Sequence, residues 1–100
     1  MDAPGSAPRP TPEDALAEAI GEALYVEATT GTREHPRLRA ALGHYVAREK
    51  SRGFPMLHVL LHVRPVFERA AAAAEVTPET VLALRERVIQ WIMTAYFARD

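Results

Sequence analysis

Four prolines, each heading a stretch with helical apolar spacing, constrain this chain more than anything else in it: Pro12, Pro36, Pro55 and Pro78. Inside a helix a proline removes a backbone bond and its ring strikes the preceding turn. At the first helical position the missing amide hydrogen has no partner to lose, and the fixed φ already suits the helix. Threonines precede two of them. Thr11 before "PED" and Thr77 before "PET" each supply a capping oxygen, with acids in the first turn opposite the partial positive charge of the helix start. Gly31 and Gly53 stand where the periodic patterns stop, which fits a left-handed terminating residue.

Between these marks the apolar residues recur at helical spacing. Leu16, Ile20 and Leu24, with Ala19 and Ala23, form the inner stripe of a first helix from Pro12 to the "TTGT" segment. A second helix starts between Thr32 and Pro36 and carries Leu38, Ala41, Leu42, Tyr45 and Val46. A third begins with Pro55 and places Met56, Val59, Leu60, Val63, Phe67 and Ala70 on one face. Pro65 falls in its middle, yet the stripe keeps its phase beyond it, so a kinked continuous helix is expected rather than two helices. The run Ala70 to Ala74 is thin and permits close approach of a neighbouring helix. A fourth helix runs from Pro78 to about Arg99. No alternating strand pattern occurs. The fold class read from these signals is all-α, a four-helix bundle with a kinked third helix, of which a globin-like arrangement is one form. Residues 1–10, rich in Pro, Gly, Ala and Ser, read as a disordered tail, and residues 11–100 as a single helical domain.

The fourth helix has more apolar surface than a single core face requires. Val81, Leu82, Leu84, Val88, Ile89, Trp91, Ile92, Met93, Ala95 and Tyr96 cover an arc of roughly 200°, twice the ~100° a core-facing stripe needs, and Phe97 widens it. Either this helix is central in the monomer or a second copy covers it. A small domain buries a moderate core, so dimerisation is a natural supplement. The expected interface is Leu84, Val88, Trp91, Ile92, Ala95, Tyr96 and Phe97, with Trp91, Tyr96 and Phe97 as the aromatic anchors such contacts favour. Arg85, inside the arc, calls for a carboxylate partner.

Charge is unevenly placed. Acids alone occur from Thr11 to Ala28, and bases dominate from Arg33 to Arg52. An antiparallel pairing of the first two helices sets Arg48, Lys50 and Arg52 near Glu13, Asp14 and Glu18. The balance over the whole chain is only -1 with a pI near 6.4, which argues against a broad nucleic-acid surface. The chain has no cysteine, so disulfide and thiolate chemistry are excluded, in keeping with a reducing compartment. No apolar run approaches the roughly 18 residues of a membrane span, and the N-terminus has no signal-peptide core. A cytoplasmic chain without membrane contact is the expectation.

Candidates for chemistry are few. His58 and His62 are four apart on the third helix and face one way, which is ligand spacing for a metal. No HExxH glutamate accompanies them, neither cysteine nor carboxylate lies on that face while Arg69 does, and the wheel places them opposite the core stripe, toward solvent or a partner. Two surface histidines also make pH-sensitive association conceivable. His35 reads as a cap or loop residue, and His44 as a poor haem ligand on the less apolar side of the second helix. No nucleophile–base pair, Gly-rich phosphate loop or Glu-x-x-His di-iron motif is present. A non-enzymatic chain without a cofactor is expected.

The segment "VAREKSRGFPMLHVLLHVRPVFERA", a Thr/Pro break and "LRERVIQWIMTAYFARD" resemble the helical N-terminal sensor domain of RsbR/RsbRD-type stressosome proteins and related domains of PucR/CdaR-like regulators. The resemblance covers the second half of the chain and rests on Ala47, Arg48, Arg52, Gly53, the apolar "VLLHVRPVF", Trp91 and Tyr96. It implies a dimeric, globin-like helical domain that senses or binds. Together these readings give a homodimeric helical module acting in signalling or regulation through association, with itself and another signalling protein as partners. The alternative is a small helical protein holding a metal or tetrapyrrole near His58 and His62.

Overall fold

The computed structural model describes residues 11–98, so the tail read at 1–10 and the last two residues lie outside the described part. Four helices follow in order: α1 (Pro12–Thr30), α2 (Pro36–Ser51), α3 (Met56–Ala74) and α4 (Pro78–Phe97). There is no strand among the described residues. The chain is an all-α four-helix bundle.

Local chemistry sets the ends. Thr11 accepts from the Asp14 amide at 3.0 Å while the Asp14 carboxylate takes the Thr11 amide at 3.3 Å, a reciprocal capping box that satisfies two otherwise unpaired donors. Thr77 accepts from the Thr80 amide at 3.3 Å in the same way at the head of α4. Gly31 closes α1 at φ 74°, donating its amide to the Glu27 carbonyl at 3.0 Å. Gly53, at φ 86°, turns the chain between α2 and α3. Pro55 stands just outside α3 as its N-cap, one position earlier than its sequence reading. Pro65 lies within α3, and the helix runs through it without interruption. Val63, Val66 and Phe67 remain buried on both sides of that proline, which is the continuity that the unbroken stripe implied.

α1 packs on α2 and α3, and α4 packs on α2; contact between α3 and α4 is sparser, leaving the fourth side of the bundle open. The core runs along the centre through Leu16, Ile20 and Leu24, Leu38, Leu42 and Tyr45, Val59 and Val63, and Leu84, Val88 and Ile92. Each such side chain contributes roughly 1.5–3 kcal/mol by leaving water. Ala70, Ala71 and Ala74 pack against this core, and their small size lets α3 lie close to α1. The shortest dimension of the molecule is 22 Å, about two helix diameters, so every helix keeps an outer face.

The charge pairing expected between α1 and the end of α2 does not form. Arg48 makes no ion pair among the described residues, Lys50 donates to the Tyr96 carbonyl at 2.6 Å, and Arg52 turns to Glu49 at 3.3 Å. Glu22 of α1 pairs instead with Arg37 of α2 at 3.6 Å, an exposed pair worth about 0–1 kcal/mol.

Candidate functional site

Three sides of the bundle are closed, and what remains open decides where function is to be sought. The interface expected from the sequence is largely turned inward. Leu84, Val88 and Ile92 are at most 2% exposed, because α2 and α3 cover that face within the chain itself. They belong to the core of the single chain. Trp91, Ala95 and Tyr96 are half-buried against the same core. The Arg39 guanidinium lies 5.5 Å above the Trp91 ring and the Lys50 ammonium 5.1 Å above Tyr96, while the Tyr96 hydroxyl donates to the Phe54 carbonyl at 2.9 Å. Both aromatics are therefore engaged in holding α4 to α2 and to the α2–α3 turn. Of the seven residues, Phe97 alone is exposed.

Exposed large apolar side chains lie about 135° further round α4, on Leu82, Ile89, Met93 and Phe97, and on Leu57 and Leu61 of α3; Tyr25 of α1 is exposed as well. The Tyr96–Phe54 bond places the end of α4 beside the start of α3, so the two helices run antiparallel. Between them is a groove of about 170 Å³ with Val63, Phe67, Val88 and Ile92 in its lining and Leu61 and Ile89 on its two sides. Antiparallel direction then sets Leu57, one turn before Leu61, at the same end as Met93, one turn after Ile89. Arg64, Glu68 and Arg85 ring the other end. Arg64 pairs with Glu68 at 3.1 Å along its own helix, whereas Arg85 is exposed and makes no ion pair among the described residues. The carboxylate its place in the apolar arc seemed to require is unnecessary, because water solvates it.

On the opposite flank of α3 the two histidines have a different setting from the one the wheel implied. His58 is half-buried, stacked on Phe54 at 4.1 Å between ring centroids and 14° between planes. The His62 ring lies beside it, tilted by 37° with 4.0 Å between centroids. The turn that Gly53 permits folds α2 back over this edge and brings Glu49 to it, a carboxylate only 5% exposed. One ligand atom from each of Glu49, His58 and His62 can be chosen so that all lie within 4.8 Å of one another. The wheel of α3 alone could not find the third member, since Glu49 comes from another helix. His44 is exposed and apart from this group. The α3–α4 groove is on the other side of the helix, and two further hollows among the described residues, of about 190 and 560 Å³, do not include His58 or His62 in their lining.

A third cluster escaped the sequence reading altogether. His35, at the head of α2, is 6% exposed, and its Nε2 lies 3.0 Å from the Glu27 carboxylate of α1. Arg87 of α4 reaches the same carboxylate oxygen and also donates to the Arg33 carbonyl at 3.4 Å. This buried group ties α1, the α1–α2 turn and α4 together. Nothing local marks it, because Glu27 and Arg87 are sixty positions apart.

Near the histidine edge, Tyr45 is buried with no hydrogen-bond partner for its hydroxyl among the described residues. Burial pushes its phenol above the usual range; the Glu49 and Glu13 carboxylates push the same way, and Arg48 and Arg52 oppose them. No described helix is long and apolar enough to cross a membrane. Compared with known protein families, curated proteins and solved structures, the chain matches none.

Proposed function

We propose that this chain acts by association, as a homodimeric helical module of signalling or regulation, with two copies meeting across the α3–α4 seam. The observation that carries this reading is the contiguous exposure of Leu57, Leu61, Ile89 and Met93 beside an apolar groove, with Leu82 and Phe97 continuing it along α4. At roughly 200 Å² per large side chain, these exposures leave on the order of 600 Å² open, at the top of the ~300–600 Å² found for the largest patch of an ordinary monomer. It approaches the ~800 Å² that each partner buries in a standard interface.

A second copy is the occupant that the area and charge favour. A two-fold axis through the groove sets Leu61 and Ile89 of one copy over the same residues of the other, the isologous arrangement commonest among soluble oligomers. The net charge of -1 opposes such pairing only weakly. The dimer implied by the resemblance to stressosome and PucR/CdaR-like sensor domains agrees with this reading, though the surface is not the one the wheel selected.

Size-exclusion chromatography with light scattering tests it. At tens of micromolar the native chain is expected to run as a dimer, and Leu61→Glu with Ile89→Glu as a helical monomer by circular dichroism. A native monomer at that concentration, or a double variant that stays dimeric, overturns the reading.

A further inference from the structure

The edge formed by Glu49, His58 and His62 is unrelated to the seam, and its chemistry is of another kind. We infer that these three residues form a binding site for one divalent transition ion of the zinc class, carried at the junction of α2 and α3. A carboxylate and two imidazoles are a ligand set found at three-coordinate protein sites for such ions, with the fourth position left to water.

Two of the three groups are otherwise poorly satisfied. The Nε2 of His58 is buried and has no hydrogen-bond partner among the described residues. The Glu49 carboxylate is 5% exposed, and among the described residues the one hydrogen bond it accepts is from Arg52 at 3.3 Å. A buried ring nitrogen without a partner, and a buried carboxylate met by Arg52 at 3.3 Å and His62 at 4.0 Å, each carry a desolvation cost that coordination of an ion would offset. Arg52 accounts for part of the Glu49 charge, but nothing it does serves His58.

The scaffold is held as a ligand site requires. Phe54 stacks on His58, and the backbone of Phe54 is tied on both sides, its amide to the Glu49 carbonyl at 3.1 Å and its carbonyl to the Tyr96 hydroxyl at 2.9 Å. The most exposed member is His62, whose side chain is 51% exposed and whose Nδ1 lies 4.0 Å from Glu49 Oε1. Around a tetrahedral ion with bonds of about 2.0–2.2 Å, neighbouring ligand atoms stand ~3.4 Å apart. Contraction from the present spacing is on the order of 1 Å, within reach of side-chain torsions at His62 and Glu49. Arg52, 54% exposed, then has to release Glu49 and move into solvent, so it is a competitor of the ion.

Titration calorimetry with Zn²⁺ on the whole chain, with Co²⁺ absorption as a second readout of coordination, tests the assignment. One equivalent is expected to bind with micromolar affinity or better, and bound Co²⁺ to show the visible bands of a four-coordinate site. His62→Ala, at an exposed position where folding is not at stake, is expected to weaken binding at least tenfold, and Glu49→Gln likewise. Arg52→Ala is expected to tighten it, and His44→Ala to leave it unchanged. Absence of one-equivalent binding below about 100 μM, or binding that His62→Ala leaves within twofold of the native chain, overturns the site. Loss on His44→Ala instead does the same, since it would place the ion elsewhere.

Discussion

Removing the Glu27 carboxylate exposes what the buried tie between α1, α2 and α4 contributes. Its side chain is 10% exposed and meets His35, at 5%, and Arg87, at 21%. Glu27→Ala leaves the Arg87 guanidinium facing a nearly dry site, and its Nε already lacks a partner there among the described residues. Breaking a buried pair from one side costs ~3–5 kcal/mol. Arg87 keeps about a fifth of its surface in water, which places the expected cost near the lower end, about 3 kcal/mol. For a domain of this size that is a fall of roughly 12–24 °C in Tm, at ~4–8 °C per kcal/mol.

Urea unfolding followed by far-ultraviolet circular dichroism measures the cost. It is best done in the Leu61→Glu/Ile89→Glu background so that association does not enter the free energy. Glu27→Gln keeps an acceptor for one partner and is expected to cost less, about 1–2 kcal/mol. The discriminating variant is Glu27→Ala with Arg87→Met. Removing both charges abolishes the stranded guanidinium, so the double variant should be more stable than Glu27→Ala alone. A loss under 1 kcal/mol for Glu27→Ala, or a double variant no more stable than the single one, refutes the reasoning.

Tyr45→Phe removes a buried hydroxyl without a partner and is expected to leave stability unchanged or raise it by about 1 kcal/mol at neutral pH, read from urea midpoints. The raised phenol pKa means that the unfolded chain loses this proton first; the contribution is intact below about pH 10 and lost as pH rises through the folded-state value. Stability of the native chain should therefore decline more steeply above pH 10 than that of Tyr45→Phe, and parallel declines would refute the assignment. Pro65→Ala restores an amide to the middle of α3 at an exposed position, with an expected gain of about 1–3 kcal/mol in the same assay. A loss would mean that the packing of Val63, Val66 and Phe67 depends on the geometry proline imposes.

Much of the fold was legible because it is written in neighbours along the chain. Thr11, Thr77 and Gly31 act on amides and carbonyls within four residues of themselves, so the ends they set need no tertiary knowledge. The stripe through Pro65 was readable for the same reason: periodicity on one helix is a property of that helix. The apolar surplus of α4 was also real, but its use was not readable. A wheel gives the width of an arc and not which part the neighbours cover. Here α2 and α3 take the side of Leu84, Val88 and Ile92, leaving Ile89 and Met93 outside.

The sequence by itself determined the class, the number of helices and most of their ends, since caps, prolines and helical spacing are local and each acts within a turn. Only the tertiary structure decided which apolar face stays open, that Glu49 joins His58 and His62, and that Glu27, His35 and Arg87 share one buried site. The physical reason is common to all three. Each depends on how separate helices are set against one another, and that is fixed by the packing of the whole core rather than by any one segment of the chain.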